Sequence, residues 1–209
     1  MGPIVNKYPY LIVEAEEIED VRVAKKTPII VWELVSKISK QYSLHALTRN
    51  EYIRAYRDFM WRLGIDPTKE RPSCEALIRR ILSGRGLPRI NNVVDIMNAF
   101  SAYYCVVMSV FDLDHISLPA TLRAAELGEK IIVIGGKEIE LPEGFPILVD
   151  SKGLIFSATI YRDSIHTMVT SATKNILLVG YAPKTIERAY LRRAIRETSE
   201  AIEEYCGNK

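Results

Sequence analysis

The sequence predicts an α/β (α+β) fold, and three observations carry that prediction. Some stretches repeat apolar residues at three- and four-residue spacing, others alternate them, and glycine and proline clusters separate the two kinds. At 209 residues, with 48% hydrophobic and 26% charged side chains, the chain can bury a sizeable core in one domain of ordinary size, or one domain with a small lobe.

Tyr10 to Val13 is an apolar run suited to a strand, and Val21-Arg22-Val23 offers a second. After Pro28, the spacing of Ile30, Leu34, Val35 and Ile38 predicts a helix. Another runs from Thr48, as its cap, to Gly64; Ile53, Tyr56, Met60 and Leu63 form its buried stripe, and Arg49, Arg54, Arg57 and Arg62 face water. Residues 1–68 read as an N-terminal strand and helix extension packed on a core formed by 69–209. In that core Pro72 cannot sit inside a helix, Ser73 is placed to cap one, and Glu75 complements its positive end. Leu77, Ile78, Ile81 and Leu82 share its apolar face. Asn91 or Asn92 caps the next helix, with Val93, Val94, Met97 and Phe100 at core spacing, and Ser109 to Asp114 reads as a strand end.

Beyond Glu129 the period becomes alternating. Ile131 to Ile134, Gly135-Gly136 and Lys137 to Leu141 read as a hairpin, since only glycine takes two successive positive φ angles cheaply. Pro146 to Val149, Leu154 to Tyr161 and Ile176 to Val179 read as strands, the last buried on both faces. Lys184 to Tyr205 reads as a long helix with Ile186, Tyr190, Ala194, Ile195, Thr198 and Ile202 inward and Arg188, Arg192 and Arg196 outward.

Composition narrows the function. No apolar run approaches the ~18 to 20 residues of a membrane span. The start lacks a basic region leading into an apolar signal core, and Pro3 and Asn6 argue against myristoylation. A cytoplasmic protein is the expectation. Cysteines 74, 105 and 206 and histidines 45, 115 and 166 are scattered, which suits neither a disulfide framework nor a metal cluster, and no cofactor is expected. The net charge of +2 does not announce a nucleic-acid binder, so local clustering has to make that case.

The order of a helix, Val93-Val94-Asp95-Ile96-Met97-Asn98, a strand with Phe111-Asp112-Leu113-Asp114, then Leu122 to Glu129, Val149-Asp150 and Thr173-Lys174-Asn175-Ile176-Leu177-Leu178 carries a resemblance. It resembles the editing domain (B-three/B-four) of the beta subunit of phenylalanyl-tRNA synthetase, and free-standing proteins built from that domain, over roughly residues 70 to 182. The resemblance implies mixed sheets flanked by helices, tRNA or aminoacyl-tRNA as partner, and hydrolysis of a mismatched aminoacyl ester in translation quality control. The synthetase's own catalytic core has no room in 209 residues, so aminoacylation is not expected. The alternative is a non-catalytic module whose same pocket holds a free amino acid, a small metabolite or a protein partner.

By the resemblance, Asn98 and Ser109 line the pocket for the misattached amino acid. Asn98 fits; Ser109 stands where the family usually has histidine, and a hydroxyl does not titrate near neutrality. Val179 stands where the synthetase has a glutamate that accepts the hydroxyl of a wrongly attached tyrosine, and valine cannot accept a hydrogen bond. Each has a plainer reading: a local backbone bond for Asn98 and a small strand residue for Ser109.

Arg162-Asp163-Ser164, followed by His166, Thr167 and Thr170, is a polar cluster after a strand. It is suited either to presenting backbone N–H groups to an ester or to a solvated turn; His166 is the histidine to test as a base. Asp112 and Asp114 invite a metal, but the resemblance favours fixing the fold beside the pocket, with Arg123 as a partner and pocket-side residue. Arg79, Arg80, Arg85 and Arg89, and the stripe Arg188, Arg192 and Arg196, are candidate tRNA contacts or solvated helix faces.

Overall fold

A computed structural model describes residues 2–208. In chain order the elements are β1 (Ile4–Asn6), β2 (Leu11–Ile18), α1 (Ile29–Gln41), α2 (Leu44–Leu47), α3 (Glu51–Arg62), α4 (Ser73–Leu82), α5 (Asn92–Tyr104), β3 (Val107–Asp112), β4 (Ala120–Ala124), β5 (Lys130–Ile132), β6 (Glu138–Glu140), β7 (Pro146–Val149), β8 (Ile155–Ser157), β9 (Ile176–Pro183) and α6 (Arg188–Cys206). The fold is mixed α/β with sheets flanked by helices. One sheet has the order β1-β4-β7-β8, a second β2-β9-β3, and β5-β6 form a two-stranded ribbon.

Residues before Arg71 supply strands to both larger sheets: β1 runs parallel to β4, and β2 pairs antiparallel along the whole of β9, from Leu11 opposite Pro183 to Ile18 opposite Ile176. Central β9 is buried at every residue, as its unbroken apolar run requires. On one face of this sheet lies α6. A Cβ on Gly180 would come within 2.6 Å of Ile195 Cδ1, and Thr198 Oγ1 lies 3.6 Å from Met108 Sδ. Side chains alternate across a strand, so Ser109 and Val179 point to the opposite face, where Phe111 meets Phe156 of β8 edge-on at 5.0 Å.

Several local expectations are corrected. Asn50, not Thr48, caps α3, accepting from the Tyr52 and Ile53 amides; Thr48 closes the short α2 instead. At α4 the extended Pro72 holds the cap position and the Ser73 hydroxyl, one residue too far in, is buried without a partner. Arg57 is not in water: it turns to the fully buried Glu75, 3.4 Å away, which Arg79 also meets at 2.7 Å. An isolated carboxylate there would be too costly to bury, so its flanking arginines are drawn in. Asn91 caps α5 as expected.

Val21 makes a single bridge to Gly207 rather than a strand. The glycine hairpin forms, but pairing stops at Ile132 opposite Glu138, leaving Val133 to Lys137 as its loop with both glycines at positive φ. The strand expected over Leu154 to Tyr161 ends at Ser157, because Thr159 takes a positive φ and turns the chain. β9 runs on to Pro183, and α6 starts later than Lys184, at Arg188.

Candidate functional site

Ser109 and Val179 are cross-strand partners in β3 and β9, both buried. Two residues along β9, on the same face, Tyr181 brings its hydroxyl within 3.4 Å of Ser157 Oγ. Ser157 donates to Asp163 Oδ1 at 2.7 Å, and the two residues also form a backbone bridge. The Ser109 hydroxyl faces the same cluster, close enough to favour the charged forms of Asp163 and Tyr181 but outside direct hydrogen-bond distance of either. Four side chains from three strands and one turn thus form an enclosed polar cluster between the two larger sheets. Burial raises the Asp163 carboxyl to about 6, against the opposing pull of the Ser157 hydrogen bond and the nearby Ser109 hydroxyl. The same burial pushes the Tyr181 hydroxyl well above its ordinary value, helped by the charge of Asp163.

Asp163 was expected as a pocket residue, but the partners that define its chemistry, Ser157 and Tyr181, were not. Tyr181 had a signal: it lies two positions beyond Val179 and so shares its face. Ser157 had none, because its meeting with Asp163 depends on the turn at Thr159.

The other expected pocket residues are spread around this cluster. Asn98 lies half-buried on α5, in the helical layer that packs against α6, while Ser109 and Val179 face the other way. Arg123 binds Glu129 with both guanidinium arms, at 2.8 and 2.6 Å, rather than Asp112 or Asp114. Glu129 also accepts from the Glu126 amide at 2.7 Å and closes that turn, which fixes the geometry a bidentate pair needs. The aspartates are tied to the segment before β9: Asp112 accepts from Thr173 Oγ1 at 2.6 Å and Asp114 from Asn175 Nδ2 at 2.9 Å. Two sequence motifs far apart in the chain are therefore one clamp, as the structural reading has it.

Arg162 lies outside the cluster, paired with Glu70 at 2.8 Å and stacked 4.4 Å over the Tyr161 ring. Ser164 is buried and accepts from the His166 amide. His166 and Thr170 are exposed; Thr170 Oγ1 accepts from the Ala172 amide.

The candidate tRNA arginines are mostly engaged with neighbours. Arg188 and Arg192 converge on Glu14, and Arg196 lies 3.7 Å from Glu200. Arg79 is held by Glu75, Arg80 donates to the Gly86 carbonyl at 3.2 Å, and Arg85 donates to Ser83 Oγ at 3.1 Å. Arg89 differs: it donates to Thr27 Oγ1 at 3.4 Å and lies 6.0 Å over the Trp32 ring.

Residues 55–207 match the family model described as the B3/4 domain. This chain belongs to the B3/4 domain family. The match extends beyond the 70–182 stretch that carries the motifs, taking in most of α3 and all of α6. Among similar proteins, the phenylalanine–tRNA ligase beta subunit of Fusobacterium nucleatum is 34% identical over 105 residues, which is 49% of this chain and 13% of that subunit. That of Aquifex aeolicus is 30% identical over 124 residues, 58% of this chain and 16% of the subunit. The chain thus spans about an eighth to a sixth of the length of these curated relatives. Among solved structures, an N-terminal fragment of the phenylalanyl-tRNA synthetase beta subunit from Pyrococcus horikoshii gives a TM-score of 0.47 at 14% identity, covering 91% of this chain and 74% of the fragment. Within the B3/4 frame the enclosed Asp163 cluster is the concentration of polar chemistry on the Ser109 and Val179 side of the central sheet.

Proposed function

We propose that this B3/4 protein binds charged tRNA and hydrolyses a misattached aminoacyl ester in trans. The observation that carries the reading is the Asp163 carboxyl, held by Ser157 at 2.7 Å on the face of the sheet that Ser109 and Val179 share. Serine at this position does not titrate near neutrality, and the neighbouring carboxyl, raised to about 6, supplies the group that does. In this reading a water attacks the ester carbonyl and its proton passes to Asp163. The acyl–oxygen bond breaks, and the proton ends on the ribose oxygen of the released tRNA. Asp163 is the base, Ser109 a polar group beside it, and Val179 an apolar wall that leaves a tyrosine hydroxyl without a partner. Asn98 holds the amino-acid end only if the acceptor reaches around to the helical layer. His166, exposed three residues beyond Asp163, is a second base to test.

A second reading, a non-catalytic module holding a free amino acid, a small metabolite or a protein partner, draws support from the enclosure of the cluster: Ser109 is 4% exposed and Val179 fully buried. A panel of mischarged tRNAs separates the two. Deacylation of at least one member, with a pH profile that rises through about 6 and is lost in Asp163→Asn, supports the enzyme. Absence of deacylation across the panel, with calorimetric binding of a free amino acid, supports the module.

A further inference from the structure

An open pocket of about 630 Å³ lies at the far end of the helical layer from Tyr104, where α1 begins, α5 begins and α6 ends; Arg22, Lys26, Thr27, Asn92 and Tyr205 supply its polar lining. None of its lining residues is a carboxylate, and Arg22, Lys25, Lys26 and Arg89 are exposed. Their ammonium and guanidinium groups enter no ion pair among the described residues, in contrast to Arg188 and Arg192 on Glu14. The first turn of α1 has no acid and no side-chain cap, so the positive end of that helix adds to the same field.

The walls are fixed. Asn92 accepts from the Ala24 amide at 2.7 Å and donates to the Arg22 carbonyl at 2.8 Å. Buried Asp95 accepts from Thr27 Oγ1 at 2.7 Å and from the Ile90 amide at 2.8 Å. The basic loop is therefore held in place by the first turn of α5, and its cations are presented with less entropy to lose on binding. Around the rim stand large apolar side chains in water: Trp32 at 48% exposure, Ile29 at 59% and Ile90 at 55%. Tyr205 stands opposite them, with Glu33 and Glu204 near its hydroxyl; that side of the rim is acidic.

We infer that this pocket is a docking surface for a single RNA strand, with Arg22, Lys26 and Arg89 on its phosphates and a base stacked on Trp32. The choice of RNA rests on the proposed tRNA-directed function; the location rests on the unpaired cations and exposed aromatic faces, which are the two components of sequence-tolerant strand binding. The patch is distinct from the Asp163 cluster, which lies across the central sheet, and from the arginine stripe of α6.

The test uses the full chain with Trp61→Phe, which leaves Trp32 as the one tryptophan. Uncharged tRNA and a short single-stranded RNA should quench Trp32 fluorescence. Combined Arg22→Ala, Lys26→Ala and Arg89→Ala should weaken binding at least about 10-fold and flatten the log–log salt slope by up to about 3. All three are surface truncations, and an unchanged thermal unfolding curve checks that the variant folds. Binding that is unchanged in the triple variant, or that leaves Trp32 unquenched, overturns the inference. So does adenosine monophosphate binding as tightly as the oligonucleotide, which would make this a small-anion pocket. Deacylation measured in parallel separates this inference from the proposed function: RNA bound here without hydrolysis of any mischarged tRNA sinks only the editing reading, and hydrolysis with unchanged binding sinks only this one. Binding of neither RNA overturns both.

Discussion

Ser157 donates a 2.7 Å hydrogen bond to Asp163 across the turn that follows β8, and that bond anchors a carboxyl whose burial raises it to about 6 from 3.8. A carboxyl raised in the folded state binds more protons there than in the unfolded chain between these values. Its contribution to stability is therefore fully present below about 3.8 and is lost as pH rises through about 6. The shift corresponds to roughly 3 kcal/mol at most. Asp163→Asn, which stays neutral, should match wild type near pH 4 and exceed it in stability by up to about 3 kcal/mol at pH 8. Urea unfolding of both proteins at the two pH values measures this; a wild type that gains on the variant with rising pH contradicts it.

Glu75 is fully buried beside Arg57 and Arg79. Glu75→Gln removes the charge that justifies burying two guanidinium groups, and should cost about 3 to 5 kcal/mol. Glu75→Gln combined with Arg57→Met should recover part of that loss. Thermal and urea unfolding read both; a single variant within 1 kcal/mol of wild type (roughly the value of an exposed pair) would place these charges in water instead.

Val179→Glu places a carboxyl in a central strand between Ala15 and Ser109. The side chain at this position is fully buried, so a carboxylate there would be desolvated. The variant should lose several kcal/mol and unfold at markedly lower temperature at pH 8 than at pH 5. A fully stable variant that now accepts tyrosine esters would show that this face opens to substrate.

Combined Arg188→Ala, Arg192→Ala and Arg196→Ala should change tRNA affinity and its salt slope less than the triple change at Arg22, Lys26 and Arg89, because Glu14 and Glu200 already offset much of the charge of the stripe. Filter binding over a range of salt concentrations compares the two directly. A larger loss from the α6 stripe would reverse the assignment of surfaces.

The sequence by itself determined the element types and much of their facing. The three- and four-residue spacing of Leu34 and Ile38, or of Ala194, Thr198 and Ile202, leaves one face apolar whatever the neighbours, and Asn91 caps α5 by a bond to Val94 three residues away. Such signals are local, so they are legible along the chain. The five motifs from Val93 to Leu178 were equally legible, as an ordered set. Tertiary structure alone decided which charged and polar groups meet. Arg57 and Glu75, Arg123 and Glu129, Asp112 and Thr173, and Arg89 and Trp32 are joined by loop geometry and strand order. An arginine on a polar helix face reads the same whether it ends in water, on a buried carboxylate or on a ligand, because that outcome depends on what the fold places a few ångströms away. The Asp163 cluster shows the same limit: its carboxyl is raised by burial where the two sheets close, and burial of that kind is a property of the packed chain, not of any residue spacing.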